Sequence, residues 1–109
     1  MIRVVVYRRD GGTRAIECSG HAGFAEEGRD IVCSAVSALT AALANGLTEE
    51  AKVPCSVTDD GSTLRCVLGE GLDRMQAHDA GLLFDTFERA VRDIREEYPN
   101  YLKISVKEV

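Results

Sequence analysis

The stretch Gly20-His21-Ala22 … Gly28-Arg29-Asp30-Ile31-Val32-Cys33-Ser34 marks where the chain changes from one backbone period to another. Before it, side chains alternate as in a strand. After it, apolar residues recur at spacings of three and four, as in a helix. His21 therefore stands at a strand's end and Cys33 in the first turn of a helix. Asp30 is a residue type favoured as an N-cap, because its carboxylate accepts backbone N–H bonds left free at a helix start. A thiol so placed meets the positive end of the helix dipole, which favours thiolate. An imidazole within hydrogen-bond reach would complete a nucleophile-and-base pair. Residues 22–29 have no periodicity, and with Gly20 and Gly28 as hinges their composition is that of a mobile loop.

Upstream, Ile2 to Arg8 alternates, with Ile2, Val4 and Val6 on one face and Arg3, Val5 and Tyr7 on the other. Asp10-Gly11-Gly12 signals a hairpin turn. Thr13 to Gly20 returns as a second strand, with Ile16 and Cys18 facing one way and Thr13, Ala15 and Glu17 the other. Downstream, Asp30 to about Asn45 reads as an Ala-rich helix with Ile31, Ala35, Leu39, Ala42 and Leu43 as its stripe and Gly46 as its stop. The near-absence of charge between Ile31 and Leu47 predicts burial over most of its circumference. Lys52 to Thr58 reads as a third strand, with Val53, Cys55 and Val57 on one face and Pro54 placing it at an edge. Asp59-Asp60-Gly61-Ser62 is a turn, and Thr63 to Leu68 a fourth strand with Leu64, Cys66 and Leu68 aligned. A second helix covers Asp79 to about Glu97 on a stripe of Leu83, Phe87, Ala90, Val91 and Ile94. Residues 71–78 read equally as helix or turn, and Pro99 ends the helix. Tyr101 to Val106 forms the last strand. The order ββαββαβ, with strands that alternate, predicts an α+β fold: one domain, residues 1–109, a mostly antiparallel sheet with two helices packed on one face.

A length of 109 residues suits one domain with its own core. Hydrophobic content of 45% with 28% charged residues is that of a globular protein. The net charge of −5 argues against a nucleic-acid partner, which needs clustered positive charge, and suits a basic peptide or protein. No apolar run approaches the roughly twenty residues of a membrane span, and no signal peptide is expected. The expected address is the cytoplasm, where the cysteines stay reduced.

The strand pattern sorts the thiols. Cys18, Cys55 and Cys66 fall on apolar strand faces, where cysteine behaves as a small hydrophobe. Cys33 alone occupies a helix start. A metal competes for these residues, since Cys18-x-x-His21 has a ligand-like gap that Cys33 and Cys55 would extend. The paired spacing of zinc motifs is missing, however, and neither a metal nor another cofactor is expected. The plainer reading makes Cys33 a packing residue and His21 a strand-end residue satisfied by a carbonyl, in a non-catalytic binding module. His78, beside Asp79, reads as a solvated histidine.

Gly20-His21-Ala22, followed by Gly28-x-Asp30-Ile31-Val32-Cys33-Ser34-Ala35, resembles the ribosomal-processing cysteine protease Prp family of bacteria. The likeness extends to the hairpin before the motif, the Ala-rich helix after it and the closing helix through Glu96-Glu97-Tyr98. The resemblance implies a homodimeric endopeptidase that removes an N-terminal extension from large-subunit ribosomal protein twenty-seven. It assigns Cys33 as nucleophile and His21 as general base and acid, with Asp30 holding the helix start and no third catalytic member. Family substrates carry basic residues after the cut, which Glu26 and Glu27 would suit.

Overall fold

The computed structural model describes residues 1–21, 23–25 and 30–109. At its start Ile2, Val4 and Val6 are buried, Arg3 is exposed, and Val5 and Tyr7 are half-buried. This alternation of β-branched residues forms strand β1, Ile2–Arg9. Asp10 and Gly11 both take positive φ, 54° and 82°, the geometry whose twist matches a two-residue hairpin. Strand β2, Gly12–Ser19, returns antiparallel. The pairing shifts between Tyr7 and Arg8, so that Tyr7 opposes Ala15 but Arg8 opposes Thr13. The extra residue, Arg14, makes a bulge that turns Thr13 to the other face. Thr13 is therefore buried rather than outward, and Arg8 reaches a helix carboxylate at Glu88 with 2.8 Å bonds.

Helix α1 spans Ile31–Asn45. Its buried stripe is Val32, Val36, Thr40 and Leu43, and Ile31 is 55% exposed. The expected stripe beginning at Ile31 is thus off by one residue. Ser34, Ser37, Ala38, Ala41 and Ala42 are exposed, so burial covers one face instead of most of the circumference. In a helix of alanines and serines, absence of charge carries little information about which side faces the core.

Gly46 does not stop the helix. Its backbone is helical, φ −59° and ψ −45°, and five π-helical residues, Gly46–Glu50, follow. Glycine leaves room there for Leu83, since a Cβ would lie 3.0 Å from one of its methyls. The joined helix Ile31–Glu50 runs 20 residues at hydropathy 1.6, long and apolar enough to cross a membrane, contrary to expectation. Val32, Val36, Leu43 and Leu47 belong instead to the core cluster with the sheet, the role of an apolar helix inside a folded domain.

Strand β3, Cys55–Asp59, starts later than expected. Lys52 has φ 53° and the Val53 N–H bonds the Leu47 carbonyl at 3.0 Å, so residues 52–54 close the π-helical turn. Val53 is buried while Val57 is exposed. Strand β4, Thr63–Leu68, buries Cys66 and Leu68. Helix α2, Arg74–Glu97, takes in the ambiguous residues: Asp73 and Gln76 form a reciprocal capping box at its start. Ala80, Phe84, Phe87 and Val91 are its buried residues. Strand β5, Leu102–Glu108, completes the sheet.

The sheet order is β3-β4-β2-β1-β5, antiparallel except for the parallel pair β1–β5. Both helices cover the face carrying Val4, Val6, Ile16, Cys66 and Leu102, giving the expected α+β architecture. β3 is an edge, as Pro54 predicts.

Candidate active site

Gly20 turns the chain off the end of β2. Its φ is +83°, and a Cβ would collide with the Met1 carbonyl oxygen. Glycine is required on both counts. His21 follows immediately and is exposed.

Asp30 is the N-cap of α1, with an extended backbone at φ −79° and ψ 103°. One carboxylate oxygen accepts the N–H groups of Val32 and Cys33, each at 3.0 Å, and the other accepts that of Phe24 at 3.1 Å. The Ser34 N–H bonds the Asp30 carbonyl at 3.0 Å. The Asp30 carboxyl is held below its ordinary value, chiefly by the Cys33 N–H, against the opposing effect of burial. The Phe24 N–H, the Cys33 side chain and the Val32 N–H add to the lowering. Cys33 is half-buried in the first turn of α1. The cap thus engages the Val32 and Cys33 N–H groups at the helix start.

His21 and Cys33 line one cleft of about 480 Å3 between α1 and the β3–β4 turn. Ile2, Cys18, Val36 and Leu64 give it apolar walls, while Ser37, Asp59 and Ser62 add polar groups. Nothing in the sequence singles out Asp59. It sat inside a turn signal, and only the fold brings that turn to the cleft. Phe24, also missed, packs edge-on against Tyr98 and Tyr101 with ring centroids 5.5 and 5.1 Å away. Glu26, Glu27 and Gly28 lie outside the described residues.

Among the described residues no disulfide forms. Burial pushes the Cys18 thiol up to about 12 and Cys66 to about 11, each with a smaller push from a neighbouring thiol, and burial alone raises Cys55. Such thiols are poor nucleophiles. Among the described residues no group of three His, Cys, Asp or Glu side chains could hold a metal ion. His78 is exposed on α2, 3.4 Å from Asp79, and is not among the cleft residues. The arrangement thus offers, on one cleft, the Cys33 thiol at a helix start and an exposed imidazole, beside a Cys18 thiol that burial makes a poor nucleophile.

The sequence model of the family described as Cysteine protease Prp matches residues 1–103. The ribosomal processing cysteine protease Prp of Bacillus subtilis (strain 168) is 29% identical over 108 residues, covering 96% of each chain. A crystal structure of SMU.848 from Streptococcus mutans superposes with a TM-score of 0.84 at 30% identity, covering 100% of this chain and 96% of that one. The essential ribosomal processing protease Prp from S. aureus, solved with a covalently linked product peptide, superposes with a TM-score of 0.88 at 25% identity. That match covers 98% of this chain and 100% of the other.

Proposed function

The chain belongs to the cysteine protease Prp family and is a cysteine protease, and from that premise we propose that it removes the N-terminal extension of large-subunit ribosomal protein twenty-seven with a Cys33–His21 dyad. The observation that carries the reading is the shared cleft: the one cysteine at a helix start and the histidine leaving β2 line the same groove. The product-bound S. aureus relative supports a peptide as occupant.

In the proposed reaction His21 takes the proton of the Cys33 thiol, and the sulfur attacks the scissile carbonyl carbon. His21 returns that proton to the departing amine as the C–N bond breaks. Water, deprotonated by His21, then attacks the thioester, releasing the new carboxylate and restoring the thiol. Asp30 acts on the helix start and takes no proton. The developing oxyanion is met by donors other than the N–H groups of Val32, Cys33 and Ser34. Asp59, which also lines the cleft, joins Glu26 and Glu27 in receiving the basic residues that follow the cut. The enzyme works as a homodimer in the cytoplasm.

A peptide spanning the ribosomal protein's N-terminal extension tests this directly. Wild-type protein cuts it at one bond; Cys33→Ala and His21→Ala each lower the rate by at least about a thousandfold. Cleavage that survives Cys33→Ala overturns the mechanism. Asp59→Lys slows a lysine-rich substrate several-fold through KM; an unchanged KM removes Asp59 from recognition. Sedimentation at the mass of one chain, with full activity, overturns the dimer.

A further inference from the structure

The sheet face turned away from α1 and α2 gathers cations. On its outward positions Arg3 lies beside Lys103, Tyr7 beside Lys107, and Glu17 beside Arg65. Arg3, Arg65, Lys103 and Lys107 are all exposed. Glu17 is the one carboxylate on the outward strand positions among the described residues, and it is already engaged. It accepts the Tyr7 hydroxyl at 2.9 Å and pairs with the Arg65 guanidinium. At the margin of the face Glu70 is paired with Arg9 and Arg14, and other acidic groups sit elsewhere: Asp79, Asp85, Asp93, Glu96 and Glu97 on α2, and Asp59 and Asp60 in the β3–β4 turn. A bulk charge of −5 therefore averages two unlike sides of the molecule, and the expectation against nucleic acid drawn from it does not apply to this face.

We propose that the open sheet face docks on the phosphate backbone of folded RNA. Lys103 and Lys107 are about 13 Å apart along β5, and Arg65 lies three strands away, about 14 Å. A spread grid of cations matches a repeating array of phosphates better than a single acidic cluster on a protein. Ser105 stands between Lys103 and Lys107, and Ser19, Thr63 and Thr58 lie beside Arg3 and Arg65, where their hydroxyls suit phosphate and ribose oxygens. A membrane-binding face would need large apolar side chains to insert. Here the exposed ones are two small valines, Val67 and Val109, and the Tyr7 ring is half-buried with its hydroxyl tied to Glu17. The inference is independent of which peptide is cut.

The test is fluorescence anisotropy of a labelled RNA hairpin with the full chain, repeated with anionic lipid vesicles. Wild-type protein binds RNA with a log–log salt slope of about −3, three cations each releasing roughly 0.9 counterion. The triple variant Arg3→Gln, Lys103→Gln, Lys107→Gln binds at least about tenfold more weakly with a flatter slope, while peptide cleavage and Tm stay at wild-type values. A charge-matched variant on α2, Arg74→Gln, Arg89→Gln, Arg95→Gln, keeps wild-type affinity. The proposal is overturned if wild type does not bind, if both triple variants lose affinity equally, or if vesicles bind and RNA does not. It is also overturned if the sheet-face variant turns a dimer into a monomer, which would make this face an interface between copies.

Discussion

Asp30 accepts hydrogen bonds from three backbone N–H groups, and those bonds fix where Cys33 stands. Sequence made the cap legible, because Asp before a helical pattern has few other uses. It could not show that the cap would use up the Cys33 donor, which depends on the angle at which the chain enters α1. The cap makes stability depend on pH. The Asp30 carboxyl titrates lower in the folded chain than its ordinary value, so its charge stabilises the fold above about pH 4 and this contribution fades as pH falls through the lower native value. Asp30→Asn, which keeps an acceptor but loses the charge, should lower Tm at pH 7, with the gap to wild type closing toward pH 3. A gap that is constant from pH 7 to pH 3 contradicts this. The thiols give a second expectation. Iodoacetamide on the native protein should label Cys33 first, leaving Cys18, Cys55 and Cys66 protected, as peptide mass mapping would report. Uniform labelling of all four would mean that burial does not protect the other three.

At the scale of elements, the strands were the most legible part, because a period of two is hard to mistake when Ile2, Val4 and Val6 alternate with Arg3 and Tyr7. The helices were less so. α1 is apolar or small on every side, and its phase could be read from Ile31 or from Val32 with equal ease; only packing against the sheet decides. The start of α2 was hidden because its capping box is built from Asp73 and Gln76, ordinary surface residues, with Gly81 weakening the pattern behind them. Gly46 looked like a stop and is a contact point with Leu83. Gly46→Val should therefore cost about 1–3 kcal/mol by overpacking, read as a lower urea midpoint; an unchanged midpoint would mean that Leu83 moves aside freely. Phe24 packs at the junction of α2 and β5 against Tyr98 and Tyr101. Two such aromatic pairs hold about 1–3 kcal/mol together. Phe24→Ala should lower kcat/KM by roughly tenfold and Tm by at least about 4 °C. Equal kinetics in the variant would make the aromatic seat irrelevant to catalysis.

Across the whole molecule, element order and layer arrangement followed from the pattern ββαββαβ, yet the strand order did not. Nothing in the alternation of Leu102, Ile104 and Val106 says that β5 lies parallel to β1, because that choice is made by the crossover through α2. The distribution of charge was equally hidden, since a net value has no direction until the chain is folded. β1 now sits between β2 and β5, and removing residues 102–109 would bare its outer edge. That truncated chain should elute as aggregates in size-exclusion chromatography; a soluble monomer would show that the first four strands stand alone. The same strand order bears on biosynthesis. The nascent hairpin leaves the exit tunnel early, with one flank of its first strand waiting for the last strand to be translated. The complete sheet cannot form until residues 102–108 have cleared the ribosome and paired with the first strand, so peptide cleavage waits on folding of the whole domain.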